Sequence, residues 1–199
     1  MITVAIPNIS EMSEKMIQFI FQVSTQAGLQ VEVFMPTKHT IYKKHKRISL
    51  KRYIDLMEKK NQLDLLIIKL TKQTLEKGFY QHVPFHIVVL PSKETGSEMN
   101  RKASVRLNTI KRMQSGYYVL PKERDAFITN SVTYGWHKEA DVSASSAQVE
   151  VDGGMQIQCC MGGKEFSVNS KVNNPQSILA GIAILRLYGV DLSEVKKES

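Results

Sequence analysis

The sequence lacks several things, and each absence narrows the reading. No apolar run approaches the roughly 20 residues that cross a bilayer as a helix, so no membrane-spanning helix is expected. Glu11, Glu14 and Lys15 interrupt the N-terminal stretch before any apolar core of a secretory signal could form. There are two cysteines in 199 residues, adjacent at Cys159 and Cys160. Neighbouring strand residues point to opposite faces, so the pair reads as two small packing residues and not as a bridge or a metal site. A reduced, cytoplasmic protein is the expectation. Aromatic residues make up 8% of the chain. None forms a ladder through the basic segments, which argues against stacked nucleic-acid bases. There is no internal repeat and no low-complexity linker. The first glycine is Gly28, so the strand-like run Ile2–Ile6 is followed by Pro7-Asn8-Ile9-Ser10-Glu11-Met12-Ser13 and by no glycine-rich loop.

What is present fits a globular α/β domain. Apolar residues make up 42% of the chain, enough for a sizeable core. Ile2–Ile6, Val31–Met35, Leu63–Leu70, Phe85–Leu90 and Tyr117–Leu120 read as strands, mostly uncharged and so buried on both faces. Between them lie helical patterns. One runs over about Glu11–Ala27, capped by Ser10 and ended by Gly28, with Met16, Ile17, Ile20 and Val23 as its apolar stripe. A shorter one is capped by Ser49 and carries Leu50, Tyr53, Ile54 and Met57 on one face. A third is marked by Ala103, Leu107 and Ile110. Alternating strands and helices predict a three-layer fold with a mostly parallel sheet. The pattern then changes. Val142–Val151, Met155–Met161 and Lys164–Val168, separated by Asp152-Gly153-Gly154 and Gly162-Gly163, read as a small three-stranded antiparallel meander attached to the α/β body, since three strands alone are marginal. Asn174 caps a last helix with Pro175 at its first position, and Gly189 stops it. The expected organisation is a single domain over 1–199: an α/β body at 1–130, the small sheet at 131–170 and the closing helix at 171–192.

The net charge is +8, from 27 basic and 19 acidic residues. Lys43, Lys44, Lys46, Arg47, Lys51 and Arg52 form one basic group; Arg101, Lys102, Arg106, Lys111 and Arg112 form another. Such groups hold phosphates or acidic partners, or are simply a solvated helix face and loop. His82 and His86, four apart around Pro84, sit where a loop enters a strand, so they need not converge on a metal. Ser10, Ser13, His39, His45 and His137 combine on paper into a nucleophile and base, but no spacing selects a combination and no nucleophile elbow surrounds a serine. Trp136 reads as a packing aromatic or as a partner anchor.

Three segments carry a family resemblance. Val132-Thr133-Tyr134-Gly135 with Ala140-Asp141-Val142-Ser143-Ala144, then the meander, then Asn174-Pro175-Gln176-Ser177-Ile178-Leu179-Ala180-Gly181-Ile182-Ala183 closing at Tyr188-Gly189-Val190, together resemble the central domain of the Mur ligases. These are ATP-dependent enzymes that join an amino acid to a carboxylate. The match covers about a third of the chain, in order. The resemblance implies the same layered fold. It also implies sites, and these are mostly altered here. The family's Gly-Lys-Ser/Thr phosphate motif falls on Glu11-Met12-Ser13, leaving only the hydroxyl. That loop works because glycines let backbone N–H groups close on phosphate while a lysine offsets its charge. The magnesium glutamate falls on Lys69, with no Asp or Glu between Asp64 and Glu76. A cation there would repel the ion by roughly 4 kcal/mol per unit pair at contact in a partly shielded site. The family's later histidine falls where Leu90 is followed by Pro91-Ser92-Lys93-Glu94, and its modified lysine corresponds to Lys111. Ser13, Asn174 and Ser177 are the remaining candidates for nucleotide contact.

The resemblance starts at the family's central domain and stops where a C-terminal one would join. With Met1 directly before the first strand, a complete protein reduced to the central fold is expected. The expected function is that of a non-catalytic Mur ligase-like binding or regulatory protein of envelope or amino-acid-ligation metabolism, without metal and without use of ATP. It would have a protein partner or form a homodimer, with Trp136 and the meander near the contact. The alternatives are a weak nucleotide or phosphate binder, and a ligase subunit completed by a partner chain. If the basic group around Lys43 serves a partner, that partner is acidic and its capture weakens with salt. Replacing Lys43, Lys44, Lys46 and Arg47 by serine should then abolish the capture. Pull-down of the same proteins by both versions at low salt would assign the group to a solvated surface.

Overall fold

The computed structural model describes residues 1–8, 10–35, 40–43, 46–60, 62–78, 80, 82–90, 101–124, 128–190 and 192, the side chains of 40–43, 46–48, 101–104, 107 and 124 apart. The chain divides into two compact units. The first contains Met1–Ile9 and Gln30–Tyr118, the second Ser10–Leu29 and Val119–Ser199. The first long helix therefore groups with the C-terminal part of the chain, a division the linear reading of body, sheet and closing helix does not make.

In the first unit, β1 (Ile2–Asn8), β2 (Val31–Phe34), β5 (Leu65–Thr71) and β6 (Phe85–Val89) come from the apolar runs. β1 pairs in parallel with both β5 and β6, and β5 pairs in parallel with β2. Val4, Ala5, Ile6 and Leu65 through Ile68 are wholly buried. This is the two-sided burial that uncharged parallel strands require. The helices are α2 (Leu50–Lys60), α3 (Lys72–Glu76) and α4 (Arg101–Lys111). Ser49 caps α2 through its Oγ, which accepts from the Arg52 N–H at 3.3 Å. Tyr53 of α2 donates to Glu32 of β2 at 2.8 Å and stacks on Phe34, which fixes the helix over the strand. Arg106 of α4 is largely buried and pairs with Glu76 of α3 at 2.8 Å.

One expectation is corrected here. The basic segment before α2 is not a helix face and loop. Residues Thr40–Lys43 (β3) and Lys46–Ser49 (β4) form a two-stranded antiparallel hairpin, with Ile41 opposite Ile48 and Tyr42 opposite Arg47. Thr40, Ile41, Tyr42 and Ile48 are the β-branched and aromatic residues that a pleated ribbon favours.

In the second unit, α1 (Glu11–Gln26) packs against α5 (Pro175–Tyr188), and α5 covers β8 (Ser131–Gly135) and β9 (Val142–Val149). β9, β10 (Met155–Met161) and β11 (Lys164–Ser170) make the expected antiparallel meander. Its second turn is Gly162-Gly163, both at positive φ (58° and 77°), as a tight two-residue hairpin demands. β9 also pairs in parallel with β8, so the meander continues the sheet instead of standing apart. β7 (Ser115–Pro121) contributes residues to both units, and a short 3-10 turn, Lys122–Arg124, follows it. Among the described residues, the hydrogen-bonded strand order is β7-β6-β1-β5-β2 in the first unit and β11-β10-β9-β8-β7 in the second, and helices flank these mixed strands.

α5 behaves as sequence chemistry dictates. Asn174 has extended backbone and its side chain accepts from the Ser177 N–H at 2.8 Å; Pro175 opens the helix; Gly189, at φ 96°, closes it. α1 departs from expectation at its start: Ser10 is in the N-cap position with extended backbone, but its side chain makes no capping hydrogen bond.

Gly181 faces the Phe19 ring of α1, and both residues are fully buried. A Cβ at 181 would overlap that ring, which has no room to swing away. Alanine's better helix propensity is worth about 1 kcal/mol, against overpacking costs of about 1–3 kcal/mol. Gly181→Ala is therefore expected to lower stability by up to about 2 kcal/mol net, measured by urea unfolding. Phe19→Leu in the same background should recover part of the loss, the sign of a direct pairwise clash.

Candidate functional site

The resemblance places a phosphate site where β1 leaves the sheet. In the first unit β1 continues as strand through Pro7 and Asn8, two residues beyond the expected start of the loop, with Ile6, Pro7 and Asn8 opposite Lys69, Leu70 and Thr71 of β5. Proline is tolerated there for a definite reason. Backbone groups alternate sides along a strand; the Ile2 N–H bonds toward β5 and the Thr3 N–H toward β6. An N–H at position 7 would face the β6 side, where residue pairing ends at Ala5. Lys69 thus stands beside the end of β1, where the family has an acidic ligand. Thr71, at the end of β5, turns into α3 by accepting from the Thr74 N–H at 3.2 Å. Ile9 lies outside the described residues.

The three candidate nucleotide contacts lie in the second unit at the starts of α1 and α5. Ser13 is buried in the first turn of α1. Ser177 is fully buried and its hydroxyl donates to the Met12 carbonyl at 2.9 Å. Asn174 spends its side-chain oxygen on the cap of α5. Lys15 bridges the two helix starts, donating to Asn173 at 2.7 Å and pairing with Glu11 at 3.0 Å. The structure therefore brings these residues together and gives several of them structural bonds. Glu11 and Glu14 supply negative charge at the positive end of α1, where a phosphate would sit.

The segment carrying the Thr-Tyr-Gly and Ala-Asp-Val resemblance forms a reciprocal lock. The Asp141 carboxylate accepts from both the N–H of Thr133, at 2.8 Å, and its hydroxyl, at 2.7 Å, while the Asp141 N–H donates back to the Thr133 hydroxyl oxygen at 3.0 Å. Arg186 of α5 donates to the Asp141 carbonyl at 3.4 Å. Burial pushes the Asp141 carboxyl upward, but the Thr133 hydrogen bonds and the charges of Arg186 and Lys122 outweigh it and hold it below the usual carboxylate value. Sequence reasoning missed the partners in this lock; the only signal was the spacing of eight between Thr133 and Asp141.

The remaining candidates do not assemble into one centre. Lys43, Lys46 and Arg47 are on the β3–β4 hairpin with side chains outside the description, Lys44 is outside the described residues, and Lys51 and Arg52 are exposed in the first turn of α2. His39 and His45, with the expected Pro91–Glu94 segment, also lie outside the described residues. His82 is exposed in a turn. His86 is tied to Thr3, whose hydroxyl lies 2.8 Å from its Nδ1 and whose N–H donates to it at 3.1 Å. His137 lies 3.7 Å from the Glu123 carboxylate. Cys159 is buried, which pushes its thiol up to about 12, and Cys160 is half-buried; both are free. Trp136 is 44% exposed. Among the described residues no group of three or more His, Cys, Asp or Glu side chains could hold a metal, and no helix is long and apolar enough to cross a membrane.

This architecture defines a Mur ligase-like α/β fold. Solved structures share it over nearly the whole chain. MurF from Acinetobacter baumannii matches with a TM-score of 0.66 and 13% identity over 98% of this chain and 44% of its own. A UDP-N-acetylmuramoyl-L-alanyl-D-glutamate–2,6-diaminopimelate ligase matches with a TM-score of 0.68 and 11% identity, over 98% and 45%. MurF from Thermotoga maritima, solved in complex with ADP, matches at 0.59 and 12%, over 94% and 45%. This chain spans less than half the length of those structures. No family model matches it, and no curated protein matches it.

The lock yields a pH prediction. Removing the carboxylate leaves the nearly buried Thr133 N–H and hydroxyl without their acceptor, so Asp141→Ala should cost about 1–3 kcal/mol at neutral pH. Because the folded carboxyl titrates below its unfolded value, the part of this stabilisation that belongs to the charged form is complete above about pH 5 and is lost as the pH falls below the ordinary aspartate value near 4 and through the lower folded one. The gap between the urea midpoints of wild type and Asp141→Ala should therefore be widest at neutral pH and narrow below about pH 4.

Proposed function

We propose that this chain acts by binding, as a Mur ligase-like domain that neither consumes ATP nor requires magnesium, in cytoplasmic metabolism related to envelope assembly or amino-acid ligation. The observation that carries the reading is the strand-to-helix connection after β1. Pro7 lies within the strand, and Glu11 and Met12 occupy the positions of the glycine and lysine that would cradle and neutralise a phosphate. Lys69, opposite Ile6, puts a cation where a divalent ion would need a carboxylate. Asn174 and Ser177 support the same reading, because their side chains already serve the cap of α5 and the α1–α5 contact. In this reading the residues shared with the ligases are those that build the fold. The function is exercised through a protein partner or a second copy of the chain, near Trp136 and the meander.

A second reading is favoured by one feature. Ser13, Ser177 and Asn174 lie at two adjoining helix starts, the kind of place where anions gather, so a weak nucleotide or phosphate contact is the alternative. A ligase subunit completed by another chain would need that chain to bring both the phosphate lysine and the metal carboxylate.

The purified protein is expected to show no magnesium-dependent ATP turnover, and millimolar Mg-ATP should leave its melting temperature unchanged, since a ligand that binds only the folded state must raise it. Turnover that survives extensive purification and disappears on mutating a residue of this chain would overturn the proposal. A rise in melting temperature without turnover would select the second reading.

A further inference from the structure

The outer side of α1 carries glutamines at 18, 22 and 26, an i, i+4, i+8 series that lines up on one helix face. Gln22 and Gln26 border two adjoining hollows in the second unit, of about 430 and 520 Å³, which share these two residues and Lys171, and Gln18 borders the second; together the hollows make a shallow groove along the helix. Its far wall is the β9–β10 turn and the end of β11. Gln22 is held in place: its side-chain oxygen accepts from the Lys171 N–H at 3.2 Å and lies 3.4 Å from the Ser170 hydroxyl. That fixes the amide plane and leaves its NH2 to donate elsewhere. On the β11 wall the Ser167 Oγ is buried with no hydrogen-bond partner among the described residues. At the rims, Phe21 is 38% exposed and Val151 is completely exposed.

The chemistry of this groove selects its ligand. A phosphate or nucleotide needs clustered cations, but the lining offers Lys171 against two carboxylates, Glu150 and Asp152. A lipid chain needs continuous apolar surface, and the glutamine row interrupts it. A primary amide carries both a donor and an acceptor, the complement of a peptide bond. From Gln18 to Gln26 the helix rises about 12 Å, the length of about four residues of extended chain. We propose that this groove binds a short, extended, uncharged segment of a partner polypeptide. Its backbone lies along Gln18, Gln22 and Gln26, and its apolar side chains rest on Phe21 and Val151. The proposal rests on the binding-protein reading above and names the chemistry of the partner; ATP turnover and peptide binding are separate measurements, so either can fail alone.

The test uses the full chain, 15N-labelled, titrated with the blocked peptide acetyl-Val-Ser-Val-Ser-Val-amide and with charged controls in which the serines are replaced by Asp or by Lys. Saturable shifts of the glutamine side-chain NH2 resonances with the neutral peptide are expected. Gln22→Ala should weaken binding about tenfold. Because that change also removes the bond to Lys171, the exposed pair Gln26→Ala and Val151→Ser provides a variant expected to fold normally and still lose about tenfold. No saturable shift with the neutral peptide, tighter binding of a charged control, or unchanged affinity in the Gln26→Ala/Val151→Ser variant would each overturn the proposal.

Discussion

From Ser177 to Leu185 the last helix has no exposed residue. A helix buried on every side must be packed on every side, and this requirement organises the second unit. α1 packs against it; β8 and β9 pass beneath it. Close approach to α1 depends on Gly181 leaving space for Phe19 and on the Ser177 hydroxyl satisfying the Met12 carbonyl. The entry of the helix is fixed by the Asn174 cap and its exit by Gly189, so neither end leaves a strained turn inside the core. The Thr133–Asp141 lock then pins the β8–β9 connection below it, and Arg186 ties that connection back to the helix.

These bonds change the meaning of the shared motifs. Asn174, Thr133, Gly135 and Asp141 are residues on which the family resemblance rests, and in this chain each has a structural task that requires no ligand. Asn174 caps, Asp141 accepts two hydrogen bonds from Thr133, and Gly135 adopts a φ of 151° at the end of β8. Fold and chemistry are separable for this reason: the frame is written in caps, locks and small-residue contacts, whereas the phosphate and metal chemistry that the resemblance implies would rest on a few side chains at the ends of β1 and β5. A likeness at 11–13% identity carries the first and says nothing by itself of the second.

The legible parts of the sequence were those whose physics is local. Gly162-Gly163 announces a tight hairpin, Asn174-Pro175 a helix start, and the uncharged runs around Ala5 and Ile67 a doubly covered parallel sheet. The β3–β4 hairpin was not legible, because its four-residue strands show no alternation and Lys44-His45 contains none of the residues that mark a tight turn. α3 has five residues, too few to show a helical period. The grouping of α1 with the C-terminal half depends on contacts such as Gly181 with Phe19, more than a hundred and fifty positions apart, which no window along the chain contains. For the candidate site, the residue identities at 11, 12 and 69 were readable. Their setting was not, since it depends on β1 staying paired with β5 as far as Asn8.

The register of β1 also limits what sequence changes after it could do. Glycine at 11 and lysine at 12 would supply the letters of a phosphate loop but not its geometry, because Pro7 and Asn8 are held as strand by their register with Leu70 and Thr71. Backbone that is paired in a ladder is not available to wrap an anion. A strand paired as far as Asn8 therefore constrains the connection to α1 through its backbone, independently of which side chains stand at 11 and 12.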